Sequence, residues 1–310
     1  MEDKTIESVI ILGSGPAGLS AALYAARAEL NPLVLTGMQL GGQAALTNVI
    51  ENYPGFPDGV GGAALGDLLQ KQAERFGARM EYDNVESVDL LSTPKRIKTY
   101  SKEYLANSVI IATGASSVKL NVPGEELLSG KGVSYCATCD GWFFKDKEVV
   151  VVGGGDSALE EALFLTRYAT KVTIIHRRDQ FRAGVLLQSR VHDNKKIQLV
   201  LDSVVKEIQG EDKVIAVLVE NVKTGEKTQL TTDGVFVFIG HKPNNGIYQD
   251  QVEMDEHGYI KVNMKMETSV PGVFACGEAA DPEYRQVATS VGMGAAAAIQ
   301  DAKYLETLEK

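Results

Sequence analysis

The sequence lacks the features that would mark a secreted, membrane-embedded or nucleic-acid-binding protein. Cysteine occurs three times in 310 residues, too few for a disulfide scaffold. No apolar run reaches the roughly 18 residues that a spanning helix needs. Basic residues are in deficit, 31 Lys and Arg against 41 Asp and Glu, for a net charge of −10. That balance argues against holding nucleic acid or an anionic membrane by bulk charge. The first eight residues, Met1 to Ser8, are acidic and polar, so they do not form a secretory signal. The four histidines (His176, His192, His241, His257) are scattered, and there is no second Cys-x-x-Cys. A tetrahedral zinc site therefore lacks ligands. What remains is an ordinary globular composition, 44% hydrophobic and 23% charged, of a size that suggests about two domains. The expected setting is a reducing cytoplasm, where a close cysteine pair is more often catalytic than structural.

Glycine is in surplus, 31 of 310 residues against about 7% in average proteins, and much of it falls in two turns. Val9-Ile10-Ile11-Leu12 runs into Gly13-Ser14-Gly15-Pro16-Ala17-Gly18, then an alanine-rich helical pattern from Leu19 to Glu29 and the apolar run Leu33-Val34-Leu35. This is a strand-turn-helix-strand unit on the scale that binds a dinucleotide. The first glycine allows the tight turn, the second lets backbone approach a pyrophosphate, and the third lets helix pack on strand. The free N–H groups at the helix start then face the phosphates.

The pattern returns at Val149-Val150-Val151-Val152, Gly153-Gly154-Gly155-Asp156-Ser157-Ala158, a helix from Leu159 to Tyr168 and a strand Val172-Thr173-Ile174-Ile175. Thr36 lies 23 positions after Gly13, and His176 lies 23 after Gly153. One such turn is a weak signal. Two in register imply two nucleotides, as cofactors or as cofactor and substrate. The residue ending the second strand normally reads the adenosine ribose, an acid for a free 2′-OH and a base for a 2′-phosphate. In the second unit that position opens His176-Arg177-Arg178-Asp179-Gln180-Phe181-Arg182, which favours NADPH over NADH. In the first unit Thr36-Gly37 stands there, followed by Gly41-Gly42-Gln43, and residue chemistry alone leaves its nucleotide open. Strands ending at Ala112-Thr113-Gly114 and at Cys276-Gly277-Glu278 add small-residue turns and a carboxylate suited to a flavin's ribityl chain.

Cys136-Ala137-Thr138-Cys139-Asp140 reads as a redox-active pair beside a proton carrier. These motifs, with Glu51-Asn52-Tyr53-Pro54-Gly55, Gly240-His241-Lys242-Pro243-Asn244 and Tyr284-Arg285-Gln286, occur in an order that resembles the bacterial-type thioredoxin reductases over essentially the whole chain, with no appended domain. The resemblance implies an α/β fold of two Rossmann-like dinucleotide-binding domains, the NADPH domain inserted into the FAD domain. Its boundaries here would be 1–117 and 246–310 for FAD and 118–245 for NADPH and the cysteine pair, with crossings near Ser116–Leu120 and Pro243–Gly246. It implies a homodimer in which NADPH reduces FAD, FAD reduces the Cys136–Cys139 disulfide, and the dithiol reduces thioredoxin. Cys139 would face the flavin, Cys136 would attack thioredoxin, and Asp140 would move protons. The inserted domain would rotate between two states. FAD would be held by Gly13, Ser14, Gly15, Pro16, Ala17, Gly18, Thr36, Gly37, Gly41, Gly42, Gln43, Asn52, Val85, Ala112, Thr113, Gly114, Gly277, Glu278, Arg285, Gln286 and Val287. NADPH would be held by Gly153, Gly155, Asp156, Ser157, Ala158, His176, Arg177, Arg178, Arg182, Ile239 and Gly240.

Two positions depart from the family. Glu278 stands where it usually has Asp, and Trp142 precedes Phe143-Phe144 where it has other aromatics. Those aromatics resemble its thioredoxin-docking surface, or they pack in a core. Cys276, in a strand, is expected to be a buried residue without a redox role. The alternatives are a ferredoxin-dependent relative, which lacks the arginine signature, a flavin subunit serving another dithiol acceptor such as a peroxiredoxin system, which carries an extra N-terminal domain, and a non-enzymatic flavin redox sensor.

Overall fold

The computed structural model describes residues 6–37, 39–47 and 49–308. In chain order it runs β1 (Ile6–Leu12), α1 (Pro16–Arg27), β2 (Leu33–Leu35), α2 (Gly62–Arg75), β3 (Arg79–Glu81), β4 (Val85–Asp89), β5 (Lys95–Thr99), β6 (Glu103–Ile111) and the short β7 (Ala115–Ser117). There follow β8 (Val133–Ser134), α3 (Ala137–Asp140), β9 (Glu148–Gly153), α4 (Asp156–Leu165), β10 (Lys171–Ile175), α5 (Val185–Asp193) and β11 (Ile197–Val200). The remainder is β12 (Ser203–Gly210), β13 (Val214–Asn221), β14 (Lys227–Thr231), β15 (Gly234–Phe238), β16 (His241–Pro243), β17 (Val273–Ala275) and α6 (Val287–Leu308). The chain divides into two compact units, one up to Ser116 and from Lys242 onward, the other Ser117–His241.

The first unit is built on a sheet in the order β3-β2-β1-β6-β5-β4, with β17 also pairing β6. Strands β3, β2, β1, β6 and β17 are parallel, and β4 and β5 form an antiparallel extension. A parallel sheet covered on both faces needs strands that are apolar on both sides. β1 meets that need by alternation: Ile10 and Leu12 enter one core with Tyr248 and Ile260, while Val9 and Ile11 enter the other with Ala21, Ala25 and Ala297. The alanines of α1 leave room for α6 to come close. A Cβ on Gly294 would lie 2.0 Å from the Ala17 carbonyl.

The second unit repeats the scheme with the parallel sheet β11-β10-β9-β15-β8 and a three-stranded antiparallel sheet β12-β13-β14. In β9, Val149 and Val151 face α4, and Val150 and Val152 face the core shared with Val205 and Val217 of the antiparallel sheet. The two passages of the chain between the units, β7 and β16, pair with one another.

Two expected boundaries shift. α1 starts three residues earlier than the periodicity suggests, because Pro16 takes the first helical position, where its fixed φ suits it. α4 likewise begins at Asp156, directly after Gly155, and closes by Leu165. The return passage falls at Lys242, at the start of the expected Pro243–Gly246 stretch. Asn244 and Asn245 already belong to the first unit: Asn244 donates to Thr113 O (2.9 Å), and Asn245 donates to Ala279 O (2.8 Å) and Gly258 O (3.0 Å).

Asp301, on α6, is fully buried, and neither carboxylate oxygen has a hydrogen-bond partner. The nearby Ser108 hydroxyl donates instead to Ser8 O at 3.1 Å. Burial pushes the Asp301 carboxyl up to about 7. A folded-state value raised above the unfolded value of about 3.9 means stability present below about pH 4 and lost as pH rises to about 7. Asp301→Asn removes that titration. Its stability relative to the parent should grow by roughly 2–3 kcal/mol between pH 5 and pH 8, read by denaturant unfolding of the holoprotein. A gap independent of pH would contradict the buried-carboxyl account.

Candidate active site: two nucleotide cradles and a disulfide

The first cradle forms where β1 meets α1. Gly13 adopts φ 110°, and a Cβ there would lie 2.4 Å from the Ala112 carbonyl, so β6 closes directly against the turn. A Cβ on Gly18 would lie 2.0 Å from Gly13 O, which fixes a hydrogen at that position too. Gly15, by contrast, caps α1 with nothing within 4 Å of where a Cβ would stand. α1 has no side-chain cap and no acid in its first turn, which starts at Pro16. An open approach to uncapped N–H groups fits a pyrophosphate. Ser14 donates to Thr36 O (3.1 Å), and Gly41 N donates to Ser14 O (3.0 Å). Gly42, beside Gln43, comes within 3.1 Å of the Gly15 Cα, measured from its would-be Cβ. The Gly37 turn lies by Asn84, next to Val85 at the start of β4.

On the other side, Gly277 lies against Ala17, 2.7 Å from a Cβ placed there, and Gly114 is open. Glu278 is half-buried. Burial raises its carboxyl to about 7 against the opposing pull of Arg285, and Ala115 N–H donates to it. Asp281 accepts the N–H groups of Glu283, Tyr284 (both 2.9 Å) and Arg285 (3.0 Å), and this turn presents Arg285 at φ 51°. Asn52 donates to Gln286 Oε1 at 3.1 Å, one residue before Val287 opens α6. The turn that presents Arg285 is held by Asp281, which sequence reasoning missed and which Asp-Pro-Glu could have signalled as a side-chain-capped turn.

The second cradle repeats the first at β9 and α4. Gly153 is pressed on Phe238 O and Ala158, while Gly155 is open and α4 has no side-chain cap. Asp156, beside Ser157, accepts Gly184 N–H at 2.8 Å. His176 separates from the arginines with which the sequence groups it. It is buried, with its ring against Gly154 and 5.4 Å from Phe181, and its Nε2 lies 3.1 Å from Gln180 O. Burial lowers its pKa, so the ring stays neutral and shapes the turn. Arg177, Arg178 and Arg182 are exposed, and Arg182 N–H donates to Gly154 O (2.8 Å). The one carboxylate within this loop, Asp179, is engaged by Lys223 (3.3 Å), which also holds Asp202 at 3.0 Å. That leaves the arginine charge available for an anion. Lys223 is 44 residues from Asp179 in the chain, and no local pattern could have found it. Ile239 and Gly240 follow β15, and Gly240 O accepts Val118 N–H at 2.9 Å.

In the same unit Cys136 and Cys139 are joined, S–S 2.11 Å, around the single turn of α3. Cys136 Sγ accepts Cys139 N–H at 3.2 Å and lies 3.3 Å from Thr138 Oγ1. Asp140 is half-buried and receives the Ser134 hydroxyl at 2.6 Å. Burial raises its carboxyl, and the Ser134 bond opposes that rise. The following aromatics divide. Phe144 is buried, 5.0 Å from Phe236, whereas Trp142 is 57% and Phe143 38% exposed. Cys276 is fully buried, its thiol pushed up to about 12. Among the described residues no helix is long and apolar enough to cross a membrane, and no cluster could hold a metal.

Residues 7–294 match the family model of pyridine nucleotide-disulphide oxidoreductases. A thioredoxin reductase of Mycolicibacterium smegmatis is 48% identical over 303 residues, covering 97% of each chain. One from Rickettsia felis is 49% identical over 307 residues, covering 97% of this chain and 99% of the relative. The crystal structure of a thioredoxin reductase from Streptococcus pyogenes superposes with a TM-score of 0.94 at 45% identity, covering 98% of this chain and all of the other.

Proposed function

The chain belongs to the pyridine nucleotide-disulphide oxidoreductase family, and from that premise we propose that it is an NADPH-dependent thioredoxin-disulfide reductase using FAD. The observation that carries this is a Cys136–Cys139 disulfide in the unit that also holds the arginine-bearing nucleotide cradle. FAD, when bound, supplies the two-electron relay between the nicotinamide and the disulfide. Residues of the first cradle, from Gly13 to Gly18 with Gly42, Glu278 and Gln286, would hold it. The second cradle would hold NADPH, with Arg177, Arg178 and Arg182 on the 2′-phosphate.

The pair's own geometry supports the division of labour. Cys136 Sγ has a backbone N–H and a hydroxyl beside it, and such contacts favour a thiolate at that sulfur. Cys136 then attacks one thioredoxin sulfur, forming a mixed disulfide and releasing the other as thiolate. Cys139 attacks Cys136, releasing the second thioredoxin sulfur and closing the 136–139 bond. Two protons and two electrons pass to thioredoxin, and Asp140 moves protons between sulfurs. Trp142 and Phe143, exposed three and four residues past Cys139, supply the docking surface in this reading. The proposal extends to a homodimer in a reducing cytoplasm.

NADPH oxidation should depend on added thioredoxin. Turnover with ferredoxin alone, or equal rates with no acceptor, would overturn the assignment. Trp142→Ala should raise the thioredoxin KM roughly tenfold, the scale of losing a buried aromatic contact, while NADPH still reduces the flavin. Light scattering decides the oligomeric state.

A further inference from the structure

Ser134 ends β8, two residues before Cys136, and is 4% exposed. Its hydroxyl oxygen accepts Cys136 N–H at 3.1 Å. The hydroxyl has one proton to donate. Asp140 Oδ2 lies at 2.6 Å and Cys136 O at 3.2 Å, so the proton goes to the carboxylate. One oxygen thereby ties the acid to the backbone of the attacking cysteine. We propose that Ser134 is a positioning residue that holds Asp140 in register with the Cys136–Cys139 sulfurs for proton transfer. This deepens the thioredoxin reductase reading and rests on it.

The surroundings leave Ser134 as the main control on that carboxyl. α4 packs against α3 and carries Asp156, Glu160 and Glu161, while the causes of the Asp140 shift are burial and the Ser134 hydroxyl. β15, which pairs with β8, has no ionisable side chain, and neither does the turn Gly141–Phe144. Burial raises the Asp140 carboxyl, and the Ser134 bond draws it back. When the pair is reduced, its two sulfurs are the other ionisable groups of this motif. Over the exchange the dithiol gives up two electrons and two protons, and the thioredoxin disulfide takes up both. A carboxyl that carries one of those protons must have its affinity set and its oxygen aimed, and Ser134 does both with one hydroxyl.

The test uses the holoenzyme. Ser134→Ala removes a hydrogen bond to an ionised group, so the limb of the pH–rate profile that reports Asp140 should move to higher pH by about one to two units. Ser134→Thr keeps the hydroxyl and should keep the profile. In an Asp140→Asn background, Ser134→Ala should cause no further pH shift. A second readout needs no turnover. Iodoacetamide alkylation of the dithiothreitol-reduced pair, followed against pH, should show the same displacement in Ser134→Ala and none on adding it to Asp140→Asn. A uniform loss of rate at every pH, or an equal shift with and without Asp140, would overturn the proposal. Should Ser134→Ala fail to fold, a displaced profile in Ser134→Thr that persists in the Asp140→Asn background would also overturn it. A displacement lost in that background would support it.

Discussion

Serine at either position of the Cys136–Cys139 pair should lower thioredoxin turnover by at least about a thousandfold, the scale on which enzymes lose rate when a covalent nucleophile is removed. The two variants should differ spectroscopically. Cys139→Ser should still let NADPH bleach the flavin absorbance, because nothing in the nucleotide cradles is altered. If Cys139 faces the flavin as proposed, Cys136→Ser leaves it as a lone thiolate and should show a long-wavelength charge-transfer band. Cys276→Ser should change turnover little, since that thiol is buried and its raised pKa keeps it protonated. Appreciable thioredoxin reduction by either variant of the pair would remove the assignment.

The double variant Arg177→Ala, Arg178→Ala should raise the NADPH KM at least about a hundredfold, since each charge-assisted contact to a phosphate contributes roughly 1.5–3 kcal/mol. NADH turnover should hardly change, because NADH has no 2′-phosphate. The prediction gains force from Lys223, which engages Asp179 and so prevents the loop from neutralising its own arginines. Steady-state kinetics with both donors decides it. Equal losses with NADPH and NADH would mean that the arginines support the fold.

The glycine turns were legible because their information is local. A tight turn, an open cap and a close helix contact recur at fixed spacing, and the two copies corroborate each other. The same holds for the apolar runs, which form strands with residues in a core on each face. His176 was harder to read. Beside three arginines it looks like another phosphate ligand, yet its burial depends on Gly154 having no Cβ and on Phe181 folding back. The aromatic run after Asp140 could not be divided by sequence, because Phe144 finds its place only when Gly234 of β15 leaves a gap for its ring. Ser134 gave no signal. Its role appears only once the turn of α3 brings Asp140 back over six residues. The placing of Asn244 and Asn245 in the first unit depends on carbonyls at Thr113, Gly258 and Ala279, which no local pattern announces.

The position of β17 has a consequence for synthesis on the ribosome. The edge of β6 from Val109 to Ile111 is completed by Val273, Phe274 and Ala275, and α6, which packs on α1 alongside α2, comes after that. At about 5–20 residues per second, the gap between those segments corresponds to roughly 8–30 seconds of translation. Through that interval the nascent first unit carries an open apolar strand edge, while the whole of Ser117–His241 emerges and can fold. A chain released between residues 241 and 273 therefore ends with its inserted unit complete and its host sheet unfinished, which makes the segment from Val273 onward the step that ends its exposure to aggregation.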